Sequence, residues 1–168
     1  DHVNTDDTRY IYVAIRREDG YVGKPVETAA NVFVPTLGNG SSTIPSLPST
    51  FPVDFCLYTD HANANSDWAS TARMTGPYYN KPNENNSQAS TNEHAWDVMG
   101  GCHAGSWLSS DDIGYLWKRH AGMDVVTYVG SGKNRTISHS MNKIPEMILV
   151  KIRNTSYGWG VYHKGLNG

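Results

Sequence analysis

Two cysteines, seven histidines and 16 Asp+Glu are the side chains of this 168-residue chain best suited to metal-binding or acid–base chemistry. Their spacing limits what that chemistry can be. Cys56, His94, Cys102 and His103 are the metal-ligand candidates, yet neither His-Glu-x-x-His nor a paired Cys-x-x-Cys occurs, so no metal is expected. Asp60, Asp67, Asp111 and Asp112 could offer oxygens to calcium. No Asp-x-Asp-x-Asp-Gly run accompanies them, and they read as solvated carboxylates. Gly-x-Ser-x-Gly is absent, and Ser138-His139-Ser140 sets serines beside a histidine without showing that they meet in space. Glycoside hydrolysis needs two carboxylates across a cleft, and nothing in the spacing of Asp54 and Glu146 brings them together. Gly130-Ser131-Gly132-Lys133 has the look of a phosphate loop, but Thr127 and Asn134 stand where that motif needs glycine and Ser/Thr. The expectation is a protein that is not an enzyme and carries no cofactor.

Aromatic side chains with a polar tip are the remaining candidates. Trp159, Tyr162 and His163, with Trp68, Tyr78 and Tyr79, could stack on the apolar faces of sugars if they lie on loops at the end of a scaffold. Core or cross-strand packing is the competing reading for the same rings. Trp159 and Tyr162 are three apart, so a regular strand points them to opposite faces and one of them inward.

The elements that must position these residues are announced by an internal repeat. Gly38-Asn39-Gly40 recurs as Gly130-Ser131-Gly132 after 92 positions, Thr43-Ile44 as Thr136-Ile137 after 93, and Phe51-Pro52 as Ile144-Pro145 after 93. Residues 53–57 then align with 146–150, and Trp68 falls opposite Trp159 at 91. Each copy reads as strand, glycine turn, Thr-Ile segment, proline, strand, polar loop and tryptophan strand, which predicts a β-meander. Gly38, Gly40, Gly130 and Gly132 are expected to be structural turns in hairpin geometry. A period near 93 is too long for a solenoid and suits a β-sandwich of about 100 residues. Two whole copies exceed the chain length. The predicted division is therefore 1–19 as the end of one module, 20–121 as a complete module and 122–168 as the opening of another. Residues 10–15 ahead of Arg16-Arg17 read as a closing strand, with Tyr115-Leu116-Trp117 ahead of Lys118-Arg119 as the counterpart.

Composition agrees with short strands and excludes several classes. With 16 Gly, 8 Pro and 18% charged residues, the chain lacks the stock of helix formers, while 5 Trp and 10 Tyr favour sheets. A net charge of −2 argues against nucleic acid as a partner. The longest apolar run, 147–150, is far below the ~20 residues that span a bilayer, so no membrane insertion is expected. The chain opens on Asp1-His2 and reads as processed or cut from something longer. Two cysteines make no disulfide framework. Whether Cys56 and Cys102 pair stays open, and Cys56 reads as a small buried hydrophobe in a strand.

Val125-Val126-Thr127-Tyr128-Val129-Gly130-Ser131-Gly132, Arg135-Thr136-Ile137-Ser138-His139, Pro145-Glu146-Met147-Ile148-Leu149-Val150-Lys151 and Trp159-Gly160-Val161-Tyr162-His163-Lys164 together resemble a module of bacteriophage tail-fibre and other virion proteins, notably of marine phages. The likeness spans about 45 residues. Residues 10–17 with Asp19-Gly20-Tyr21-Val22-Gly23-Lys24-Pro25 resemble the junction after such a module. The first copy departs from the pattern, with Ser46 in the place of His139 and Tyr58 in that of Lys151. The resemblance implies all-β, tandem antiparallel sandwich modules of jelly-roll or concanavalin A-like type, truncated at both ends here, and it supplies no catalytic residues. It further implies a structural and adhesive segment of a virion appendage, extracellular, forming a homo-oligomer (a trimer) with other virion proteins and touching host surface glycans. A lectin-like carbohydrate-binding module of a secreted or cell-surface protein is the alternative.

Overall fold

The structure, a computed structural model, describes residues 5–15, 28–40, 43–103, 108–120 and 122–166. The junction residues Arg16 to Pro25 lie outside them. The described chain is all-β and sandwich-like. Its strands are β1 (Arg9–Ile15), β2 (Phe33–Leu37), β3 (Leu47–Pro48), β4 (Phe55–Asp60), β5 (Ala69–Ala72), β6 (Tyr78–Asn80), β7 (Ala89–Ser90), β8 (Gly101–Cys102), β9 (Asp112–Trp117), β10 (Met123–Val129), β11 (Met147–Ile152) and β12 (Gly160–His163). Two single 3-10 turns, Ala29–Asn31 and Arg73–Thr75, complete the described secondary structure.

A four-stranded sheet has the order β10-β1-β11-β12, a six-stranded sheet the order β2-β9-β4-β5-β6-β7, and β3 pairs with β8 alone. Strand alternation sets the layers. In β9, Asp112, Gly114 and Leu116 are buried and Ile113, Tyr115 and Trp117 are half-buried, the period of two that a pleated strand imposes. Phe55, Leu57, Ala72 and Trp117 of the larger sheet share a core with Ile11, Val13, Met123, Val125 and Leu149 of the smaller one. That shared layer makes the sandwich. The outer face of the larger sheet is covered separately: Cys56, Tyr58 and Leu116 pack beneath Leu47, Phe51, Val53, Trp96, Cys102 and Leu108. On the outer face of the smaller sheet, Tyr12, Val126, Tyr128, Ile148 and Val150 pack with Ile137 and Met141.

The repeat is present in the topology, in a different arrangement from a meander. In both sheets a strand from elsewhere in the chain separates the two repeat strands: β9 lies between β2 and β4, and β1 between β10 and β11. Each pairing is antiparallel, so the flanking repeat strands run parallel and cannot form a hairpin. The described parts of the segments joining them, 43–54 and 130–146, instead pack on the outer face of their own sheet and help to cover it. The glycine turns follow suit. The Gly38 N–H donates to Asp112 O at 2.9 Å and that of Gly130 to Thr8 O at 2.6 Å, each at the start of the intervening strand. Gly40 and Gly132 adopt φ of 61° and 63°, the left-handed region that glycine enters freely. The four glycines lie where the chain leaves the sheet rather than in two-residue hairpins.

Register corrects the alignment of the second strand by one residue. Phe55 lies opposite Trp117 and Leu149 opposite Val13, so the copies are offset by 94 there, and Lys151 corresponds to Leu57, not to Tyr58. A one-residue slip exchanges faces. By the same register Trp159 matches Ser70, two positions beyond Trp68 and on the same face. Each copy thus supplies the strands that flank the intervening strand of one sheet, and the two sheets meet across a common core. A division at 19/20 and 121/122 does not separate cores within this chain: β1 is hydrogen-bonded to β10 and β11 along its whole length, and their shared sheet packs on residues of 20–121.

Candidate functional site: an aromatic depression at the sandwich edge

Between β11 and β12 the chain turns back over the smaller sheet, and buried polar contacts fix that turn. Lys151 is fully buried and donates from Nζ to the carbonyls of Ile152 (2.9 Å) and Tyr157 (2.8 Å). Burial without a carboxylate partner lowers its pKa. Arg153 is held by the other sheet: its Nε donates to Gln88 Oε1 at 2.7 Å, its carbonyl accepts from Gln88 N at 2.8 Å, and its guanidinium lies 5.9 Å from the Tyr78 ring centre. Trp159 Nε1 donates to Lys81 O at 3.2 Å. These contacts dock the edge of one sheet on the 80–88 loop of the other.

The result is a depression floored by Tyr10, Val150 and Ile152 and walled by Tyr157 and Trp159. Gly158 and Gly160 complete its lining, and a Cβ built on Gly158 meets nothing within 4 Å. Beside it lies a polar cluster. Lys81 Nζ is 2.5 Å from Asp67 Oδ2, Asn83 Nδ2 donates to Asp67 Oδ1 at 2.8 Å, and Asn83 Oδ1 accepts from Trp68 N at 3.1 Å. The bonds from Lys81 and Asn83 hold the Asp67 carboxyl below its usual pKa. Aromatic walls with adjacent charged and amide groups are the chemistry that sugar recognition uses: ring faces for C–H surfaces, polar groups for hydroxyls.

A family model described as a domain of unknown function, DUF7483, matches residues 57–168. The chain belongs to this family. No curated protein and no solved structure matches it. The DUF7483 match runs from within β4 through β12 and includes the whole aromatic depression except Tyr10.

In this DUF7483 chain the aromatic residues singled out by sequence do not form one patch. Trp159 lines the depression; Trp68, half-buried, stacks on Tyr115 at 6.0 Å between ring centres and is not part of its lining. Tyr78 is engaged by Arg153, and Tyr79 packs into the outer core with its ring edge to face against His94. Tyr162 pairs with Ile148 across the β11–β12 ladder, with Val161 and His163 pointing to the other face, so Trp159 and Tyr162 do lie on opposite sides. Tyr157, Lys81 and Asn83 were not predicted. The signal available was the alternation Tyr157-Gly158-Trp159-Gly160, because glycines between rings leave ring faces bare.

Asp60 caps the following turn through Ala62 N (2.9 Å) and Asn63 N (3.2 Å), and Asp112 accepts from Ser109 N at 2.7 Å. Asp54 pairs with Arg73 (3.2 Å), and Glu146 pairs with Lys164 (2.5 Å). His139 Nδ1 accepts from Met141 N at 3.2 Å, while Ser140 Oγ lies 2.6 Å from His120 Nδ1 and donates to Asp124 at 2.8 Å. Cys56, Cys102 and His103, separated in sequence, converge in the outer core: their Sγ and ring-nitrogen atoms all lie within 4.8 Å of one another. Both thiols are free. Burial pushes the Cys56 thiol up and His103 well below the usual histidine range.

Proposed function

We propose that this DUF7483 chain is a non-enzymatic, structural and adhesive β-sandwich segment of a phage tail fibre or other virion appendage, and that it contacts host surface glycans at the Tyr157–Trp159 depression. The observation that carries the glycan contact is the depression walled by those two rings, joined through Trp159 Nε1 to the carbonyl of Lys81, whose ammonium belongs to the Asp67–Lys81–Asn83 cluster. The resemblance of residues 125–164 to virion modules supports the setting, and the repeat gives a unit suited to serial use along a fibre. A homo-oligomer, with a trimer as the expected symmetry, fits that role and is read directly from the mass of the assembly in solution.

A glycan array on the intact chain tests the contact. Gly158→Val fills the depression where a side chain meets no neighbour, and binding should fall about tenfold or more with the melting temperature unchanged. Trp159→Ala should do the same with some loss of stability, because the indole also anchors Lys81 O. Undiminished binding in the Gly158 variant would place any glycan contact elsewhere. A lectin-like module of a secreted or cell-surface protein would use the same depression, and the flanking gene sequence separates the two settings: further copies at similar spacing belong to a fibre.

A further inference from the structure

Three features of the outer core of the larger sheet lie apart from the aromatic depression. The ligand atoms of Cys56 on β4, Cys102 on β8 and His103 just after it are gathered within 4.8 Å, where tetrahedral zinc would set its ligands about 3.5–3.8 Å apart. His103 is fully buried, and neither Nδ1 nor Nε2 has a hydrogen-bond partner. A neutral imidazole has one donor and one acceptor, so both unpaired functions are costly in an apolar core and call for an explanation. The backbone at His103 has φ of 66°, an unusual setting for a residue other than glycine. In a regular strand Cys102 and His103 would point to opposite faces; the left-handed residue turns the imidazole to the side of the thiol. Its N–H donates to Ala95 O at 2.8 Å and its carbonyl accepts from Ser46 N at 2.9 Å, which hold that conformation. Strain of this kind, held in place by neighbours, is found at functional sites.

We infer that Cys56, Cys102 and His103 form a buried site for a divalent, thiophilic metal, with Zn(II) as the fitting ion. Binding converts two thiols to thiolates and releases two protons to solvent, forming two metal–sulfur bonds and one metal–nitrogen bond. The charge of the ion is then cancelled by two thiolates, which leaves the core site neutral; a monovalent ion would leave a buried negative charge. An imidazole nitrogen of His103 gains the partner it lacks. His94 stands beside this group without belonging to it, its ring centre 4.5 Å from that of His103 and its Nε2 2.8 Å from Tyr58 Oη.

The full chain, refolded under reducing conditions with Co(II) or Zn(II), tests this. Expected are one Zn(II) per chain by elemental analysis after gel filtration, a thiolate-to-cobalt charge-transfer band that saturates at one equivalent and is displaced by Zn(II), and protection of both thiols from alkylation. Cys56→Ser and His103→Gln should each lose the band. His94→Gln, which spares the three ligands, should keep it. Where a variant fails to fold, the wild-type titration still decides. No uptake by a folded chain with both thiols reduced, a Cys56–Cys102 disulfide in freshly isolated protein, or a band that survives His103→Gln would overturn the assignment.

Discussion

Asp124→Ala is expected to be among the most destabilising single substitutions in this chain, lowering stability by about 3–5 kcal/mol and the melting temperature by on the order of 10 °C. The carboxylate is 1% exposed and accepts from Arg119 Nε (2.7 Å), Val125 N (2.8 Å), Ser140 N (2.7 Å) and Ser140 Oγ (2.8 Å). It therefore ties three parts of the fold together: the end of β9, the start of β10, and the 130–146 crossover at the point where Met141 enters the outer core. Alanine would leave a guanidinium and three further donors without their acceptor. Although burial alone would raise its pKa, the bonds from Ser140 and Arg119 prevail and lower it. A carboxyl whose folded pKa lies below its unfolded value stabilises the fold fully above about pH 4 and loses that contribution as pH falls through the folded value. Urea midpoints for wild type and Asp124→Asn should be widely separated at neutral pH and converge below about pH 4. Parallel pH profiles would refute this account of the site.

Gly130→Ala and Gly38→Ala should be damaging to a similar degree, by about 3 kcal/mol each, and for the same reason. A Cβ on Gly130 would stand 1.9 Å from Thr5 O, and one on Gly38 would stand 2.2 Å from Ser109 O. Both obstructions are backbone atoms just before the intervening strand, β1 in one sheet and β9 in the other, so relief requires a strand to move. Gly158→Ala is the control, since nothing lies near its Cβ, and it should stay within about 0.5 kcal/mol of wild type. Denaturant melts of the three variants test the equivalence of the two copies as well as the contacts. A tolerated alanine at either position 38 or 130 would show that the copies are packed differently.

The damage at Gly38 and Gly130 shows why the repeat was legible and its meaning was not. The glycines recur because both copies need the same close approach, and that constraint is written in residue type. What they approach is a strand far away in the chain, and nothing in the repeat names it. Residues 10–15 and 115–117 were recognisable as matching strands, yet the pattern suggested that they close modules in succession rather than lie between repeat strands in facing sheets. Lys151 illustrates a smaller failure: equal spacing through Pro52 and Pro145 placed it against Tyr58, and only the ladder showed the extra residue that puts it at the level of Leu57. Asp124 gave no signal at all, since the first copy has Val32 at that level of its strand and no polar pattern surrounds it.

The candidate sites divide in the same way. Trp159 was visible in the sequence as an aromatic candidate, while its union with the 80–88 loop depends on Trp159 Nε1 reaching Lys81 O across the gap between sheets. Cys56, Cys102 and His103 lack any recognised ligand spacing because they converge from two different strands and through a left-handed residue that sequence does not reveal. Composition, alternation and turn chemistry are local properties, so the amino-acid order alone determined an all-β, repeat-built sandwich and the positions of its turns. Which strands became neighbours, which faces met and which distant side chains came within bonding distance were settled by tertiary packing, because the burial that decides them is shared among residues up to about a hundred positions apart.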